Sequence, residues 1–114
     1  MFQWWIILIF NLDKPAQTDG LAMTADGNLY FSGVTKNTIY SVKVLNEKKN
    51  DLKYEGLQFR IVAQDNSSLI WADTFSIDNY GSYLWVTTRG WPIDSKRNSI
   101  VRVYIDSKSY LYDN

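Results

Sequence analysis

Two aspartates, Asp19 and Asp73, stand at matching positions in two copies of one sequence pattern. Thr18 precedes the first and Thr74 follows the second. Asn37 and Asn98 also correspond, and Arg89 and Trp91 lie in the longest loop of the second copy. Carboxylates, amides and an indole brought together would suit an amine ligand, through ion pairing and cation–π contact. The competing role for each aspartate is local, as a cap that accepts backbone N–H groups at the turn entering a strand. Recurrence in both copies favours the cap, because a structural device repeats where a binding site does not. Arg89 and Trp91 read either as ligand contacts or as a stacked surface pair. Trp71 and Trp85 read as packing between neighbouring sheets.

The chain has no histidine and no cysteine. That excludes a Ser-His-Asp triad, a cysteine nucleophile, disulfides and imidazole or thiolate metal ligands. Chemistry is left to carboxylates, lysine, tyrosine, hydroxyls and amides. Asp19 and Asp73 alone offer too few oxygens for a hard cation, so no metal and no cofactor are expected. Asn66-Ser67-Ser68 fits an N-glycosylation acceptor, which matters only in a secreted protein.

The elements that must position these residues are strands. Leu21 and Met23 alternate with Ala22 and Thr24, a period of two. Ala25-Asp26-Gly27-Asn28 is a tight turn, since Asp-Gly supplies a positive φ. Leu29 to Ser32 is the returning strand, Gly33 to Asn37 a loop, and Thr38 to Val44 a third strand. Asn46 to Glu55 is polar and reads as a solvated loop. Leu57 to Ala63 is a fourth strand, with Leu57, Phe59, Ile61 and Ala63 expected on one face. The second copy follows: Asp73 to Ile77, a turn at Asn79-Tyr80-Gly81, Tyr83 to Thr88, a loop carrying Trp91-Pro92, and Ile100 to Ile105. Ser109 to Asp113 is either a short fourth strand or a tail. No helix is expected.

At 114 residues the chain has room for about one domain. Its net charge is zero, so nothing marks a nucleic-acid partner. The apolar start, MFQWWIILIF, is too short to span a bilayer as a helix, and no membrane association is expected. Three readings of residues 1–17 stay open: a signal-peptide remnant, a buried strand, or an extension left by a mis-started gene model. The repeat itself runs from Thr18 to Val44 and again from Ala72 to Ile105. A repeat spaced by about fifty residues points to a propeller, solenoid or array. Four successive antiparallel strands make one propeller blade. The expected fold is therefore all-β: about two four-stranded antiparallel blades, residues 18–63 and 72–105, within a partial β-propeller spanning 18–114.

Asp19-Gly20-Leu21-Ala22-Met23, then Gly27-Asn28-Leu29-Tyr30-Phe31-Ser32-Gly33-Val34, resemble the late-propeller signature of the major royal jelly protein/yellow family. Val62-Ala63-Gln64-Asp65, Leu69-Ile70-Trp71-Ala72-Asp73-Thr74-Phe75 and Tyr83-Leu84-Trp85-Val86-Thr87-Thr88-Arg89 continue the likeness. Asn98-Ser99-Ile100-Val101-Arg102-Val103-Tyr104 is similar to the family's closing segment. The resemblance implies a six-bladed propeller of which this chain is a C-terminal part, the other blades being its missing partners. It also implies an extracellular, secreted protein acting in pigmentation or cuticle, or binding a small aromatic or biogenic amine in the propeller channel. In such a ring Thr18, Asp19, Asn37, Asp73, Thr74, Arg89, Trp91 and Asn98 would line the channel mouth. The chain departs from the family in lacking the earlier blades and any cysteine. Two alternatives stay open. One is an enzyme, either a dopachrome-converting isomerase or a relative of the gluconolactonase/regucalcin propellers, whose metal-binding aspartate matches Asp19 alone. The other is a truncated product with no independent function. For this chain by itself a non-enzyme is the expectation.

Overall fold

The computed structural model describes residues 16–46, 51–52, 58–78, 82–89 and 98–107. The expectations for residues 1–15, the Asn79-Tyr80-Gly81 turn, Trp91-Pro92 and Ser109 to Asp113 lie outside the described residues. What is described is all-β. A four-stranded antiparallel sheet is built in chain order from β1 (Leu21–Met23), β2 (Asn28–Gly33) and β3 (Thr38–Lys43). Its outer edge is β6 (Arg60–Gln64). Between β3 and that edge, β4 (Leu45–Asn46) and β5 (Asp51–Leu52) form a short ladder of their own. The solvated loop expected from Asn46 to Glu55 is thus partly paired: Leu45 meets Leu52, and Asn46 meets Asp51. Among the described residues a second sheet contains three strands, β7 (Ala72–Ile77), β8 (Tyr83–Thr88) and β9 (Ser99–Tyr104). No α-helix occurs among the described residues, and a single 3-10 turn at Val34–Lys36 joins β2 to β3.

Local chemistry explains the hairpins. Gly27 takes φ 89°, the left-handed conformation that a β-carbon disfavours, and it closes the turn by donating to Thr24 O at 3.1 Å. Asn37 ends the 3-10 turn at φ 50°, tolerable for asparagine. Between these turns the register is regular, from Asn28 opposite Lys43 to Gly33 opposite Thr38.

Period two decides which side chains meet. Phe75, Ile77, Leu84 and Val86 leave the second sheet on one face and pack against Tyr30 and Ile39 of the first. Leu84 and Val86 are fully buried, and each such side chain stabilises the fold by roughly 1.5–3 kcal/mol. Trp85, between those two, must therefore point away. It is 40% exposed and donates to Asp78 instead of packing between the sheets. The opposite face of the first sheet carries a second buried cluster of Phe31, Tyr40, Val42 and Val44. Phe31 stacks on Tyr40 and meets Phe59 edge-on, both at 5.6 Å between ring centres.

The fourth strand departs from simple alternation. A bulge between Ile39 and Tyr40 shifts its register, so Ile39 faces Ala63 while Tyr40 faces Ile61. Phe59 then joins the Phe31 cluster, Val62 and Ala63 join the intersheet core, and Ile61 is left 64% exposed. The single apolar face expected for Phe59, Ile61 and Ala63 is split in this way.

The two sheets approach most closely at their entries, where β1 lies beside β7. A β-carbon added to Gly20 would stand 2.5 Å from the Phe75 ring and 3.2 Å from the Asp73 carbonyl oxygen. Gly20→Ala should therefore lower stability by about 1–3 kcal/mol, the usual cost of overpacking. Urea unfolding of the variant and wild type measures this, and an unchanged midpoint would refute the close approach.

Candidate functional site

Asp19 leads into β1 and Asp73 is the second residue of β7, so the entry of each sheet contributes one carboxyl group. Among the described residues neither caps a strand-entry turn, the role that the sequence suggested for each aspartate. That work is done by Ser32, whose Oγ accepts from Asp19 N at 3.0 Å and from Gly20 N at 2.9 Å. Ser32 is fully buried as the next-to-last residue of β2, and its hydroxyl holds the backbone that enters β1. With its backbone held by Ser32, the Asp19 side chain is free to reach across to the second sheet. There its Oδ2 accepts Trp71 Nε1 at 2.9 Å.

Trp71, which the sequence assigned to packing between neighbouring sheets, belongs to this site. It occupies φ 52° just before β7, unusual for a bulky side chain. Its carbonyl accepts Arg89 N at 3.1 Å, which pins the end of β8 to the start of β7. The Arg89 guanidinium lies 5.4 Å from the centre of the indole, a cation–π distance. Arg89 thus stacks on Trp71; the Trp91 considered as its partner lies outside the described residues. Trp71 bridges the sheet entries by a polar contact at their rim instead of filling the core. The available signal was its place two residues before an aspartate that repeats.

The two carboxyl groups act on each other, and their proton affinities diverge. The indole N–H of Trp71, and then the bond from Asp73, hold Asp19 below the usual carboxylate value of 3.8. Asp73 is raised, first because it holds the shared proton toward Asp19, then by burial and by the charge of Asp19. Arg89 pulls both downward. A pair of this kind titrates as a unit, with Asp73 holding its proton to higher pH than Asp19.

Beside the pair lies an open cavity of about 470 Å³, lined by Val34, Thr35, Asn37, Ile70 and Trp71. The 3-10 turn after β2 forms one wall, tied down by Val34 N to Gln17 O at 2.8 Å. The segment before β7 forms the other. Asp65 N donates to Asn37 O at 3.1 Å, and Asp65 Oδ1 accepts from Ser67 N and Ser68 N, so this wall is an ordered turn. Those two backbone bonds hold Asp65 below its ordinary value.

The remaining candidates divide between this region and solvent. Asn37 lines the cavity and donates to Asn66 Oδ1 at 3.3 Å. Asn66, the glycosylation candidate, is exposed on the turn. Thr18 Oγ1 is buried without a hydrogen-bond partner among the described residues. Thr74 and Asn98 are exposed; Thr74 points to the outer face of the second sheet, away from the pair. No three acidic groups gather as a metal site among the described residues.

The chain was compared with protein-family models, with curated proteins and with solved structures, and it matches none of them.

The carboxyl pair has a consequence for stability. The elevated folded value of Asp73 contributes stability that is fully present below its ordinary value of 3.8 and is lost as pH rises through the folded value. Asp19, depressed, contributes in the opposite sense: its share is present above 3.8 and lost as pH falls through its folded value. Asp73→Asn preserves a donor toward Asp19 without the charge. Its thermal midpoint should exceed that of wild type at neutral pH and converge with it in acid. Melting curves across that range check this, and a variant less stable at neutral pH would contradict the shared proton.

Proposed function

We propose that this chain binds a small aromatic or biogenic amine at the paired sheet entries. The observation that carries this reading is the position of Trp71, whose indole both touches the carboxyl pair and lines the apolar cavity. An ammonium group would take its place against Asp19 and Asp73, and the hydrocarbon body would lie along Val34, Ile70 and the indole. Asp19 stays ionised because Trp71 supports its charge, which suits a cationic guest.

We further propose that the chain is part of a secreted β-propeller of the yellow/royal-jelly type. Its support is the resemblance of the ordered motifs, together with two antiparallel sheets in chain order, stacked face to face with their first strands side by side. In such a ring the carboxyl pair would sit at the channel mouth, and its role would be carriage of the amine or action in pigmentation. A second reading is favoured by the split carboxyl pair. An acid beside a base suits proton transfer, so an isomerase acting on a dopachrome-like substrate is the alternative.

Dopamine titration followed by tryptophan fluorescence tests the binding. The expected result is a saturable change that weakens about tenfold or more on Asp19→Asn, as befits loss of a charge-assisted contact. Thr87→Ala, on the outer face of the second sheet, should leave it intact. Absence of a saturable change would refute the amine reading, and time-dependent conversion of an added dopachrome would favour the enzyme.

A further inference from the structure

A smaller cavity, about 220 Å³, opens between the sheets away from the carboxyl pair, lined by Tyr30, Arg60, Ile61, Val62, Tyr104 and Ile105. Its polar wall follows from strand register. Tyr30 stands opposite Ser41, and Ser41 opposite Arg60, so one cross-strand row carries a phenol, a hydroxyl and a guanidinium. This row faces the second sheet, and Tyr30 is buried there. Arg60, on the edge strand, bonds Ser41 Oγ at 3.4 Å and lines the opening, and its guanidinium carries five N–H donors in a fixed fork. Val62 and Ile105, packed on the intersheet core, supply the apolar wall.

Two opposite charges act on the Tyr30 hydroxyl, Asp26 first and Arg60 after it. Asp26 acts on the Tyr30 hydroxyl, but its carboxylate is engaged by Thr24, by Asn28 at 3.3 Å and by Ser107 at 2.9 Å. Burial, and then the charge of Asp26, keep the Tyr30 phenol protonated above its ordinary range, so it remains a donor. A buried O–H donor and a forked cation at one end of an apolar slot match a carboxylate with a hydrocarbon body. The volume equals the liquid share of about seven waters, room for a single ring.

We propose that this cavity binds a small aromatic or branched carboxylate, its anion held by Arg60 and the Tyr30 hydroxyl and its body by Val62 and Ile105. The site is independent of the amine site and of opposite charge preference. Benzoate is the probe, with benzylamine as the same ring bearing the opposite charge. Amide chemical shifts of the isotope-labelled whole chain should move saturably with benzoate at Tyr30, Arg60 to Val62 and Ile105. Benzylamine should leave those amides unmoved, whatever it does near Trp71. Arg60→Met keeps the stem and removes the fork; it should weaken benzoate about tenfold or more, while Arg60→Lys should fall between. Absent or non-saturable shifts in the wild type, equal response to both probes, or unchanged affinity in Arg60→Met with an intact amide spectrum would each overturn the proposal. The wild-type map decides even if a variant fails to fold.

Discussion

The two sheets approach this closely at their entries because Gly20 has no side chain. At that position the entry of the first sheet rests on the Phe75 ring and the carbonyl of Asp73. Everything at the candidate site follows from this approach. The same contact that seats Phe75 in the intersheet core brings the Asp19 backbone alongside β7. Ser32 supports the arrangement from the other side, since its hydroxyl accepts both N–H groups that the extended entry would otherwise bury unpaired. A close approach needs a small residue, and the small residue leaves donors that need a local acceptor. Gly20 and Ser32 answer these two demands together.

The carboxyl pair is a consequence of that geometry. Two aspartates at equivalent places in a repeat are brought together when the repeats stack with their first strands side by side. Like charges at such range cannot both ionise freely, so the environment chooses between them. Trp71 donates to Asp19 and none of the described donors does the same for Asp73. The indole thereby breaks the equivalence of the repeat. It lowers the proton affinity of Asp19 below that of Asp73, and it joins that pair to an apolar cavity. The opposite end of the stack is held by different means. Asp26, in the first hairpin turn, accepts from Ser107 beyond β9. Burial opposes its charge, but the hydroxyls of Thr24 and Ser107 more than offset this and hold it below its ordinary value.

The positions of β1 to β3 and β6 to β9, though not the β4–β5 ladder, were legible in the chain, as were the Asp-Gly turn and the correspondence of Asp19 with Asp73. Alternation and a left-handed turn are properties of a few consecutive residues, and a repeat is a property of their order. The inward face of β8 followed from the same alternation, although it placed Trp85 outside, against its expected role in packing. Size and apolarity made that tryptophan look like core, but the register of Leu84 and Val86 admits only one face.

What the tertiary structure alone decided lies in contacts between distant residues. Trp71 and Asp19 are 52 positions apart, and no local pattern pairs them. The bulge at Ile39 and Tyr40 is set by how β6 meets β3, and it divided an apparently uniform apolar face between two cores. Ser32 became the cap because its hydroxyl faces the β1 entry across the sheet, while Asp19, the residue with the capping side chain, turned elsewhere. The sequence by itself determined which residues form strands and which aspartates are equivalent, because period and turn chemistry act within a few residues. Sheet packing determined which aspartate carries the charge and which tryptophan serves it, because those depend on distances that only the stacked sheets define.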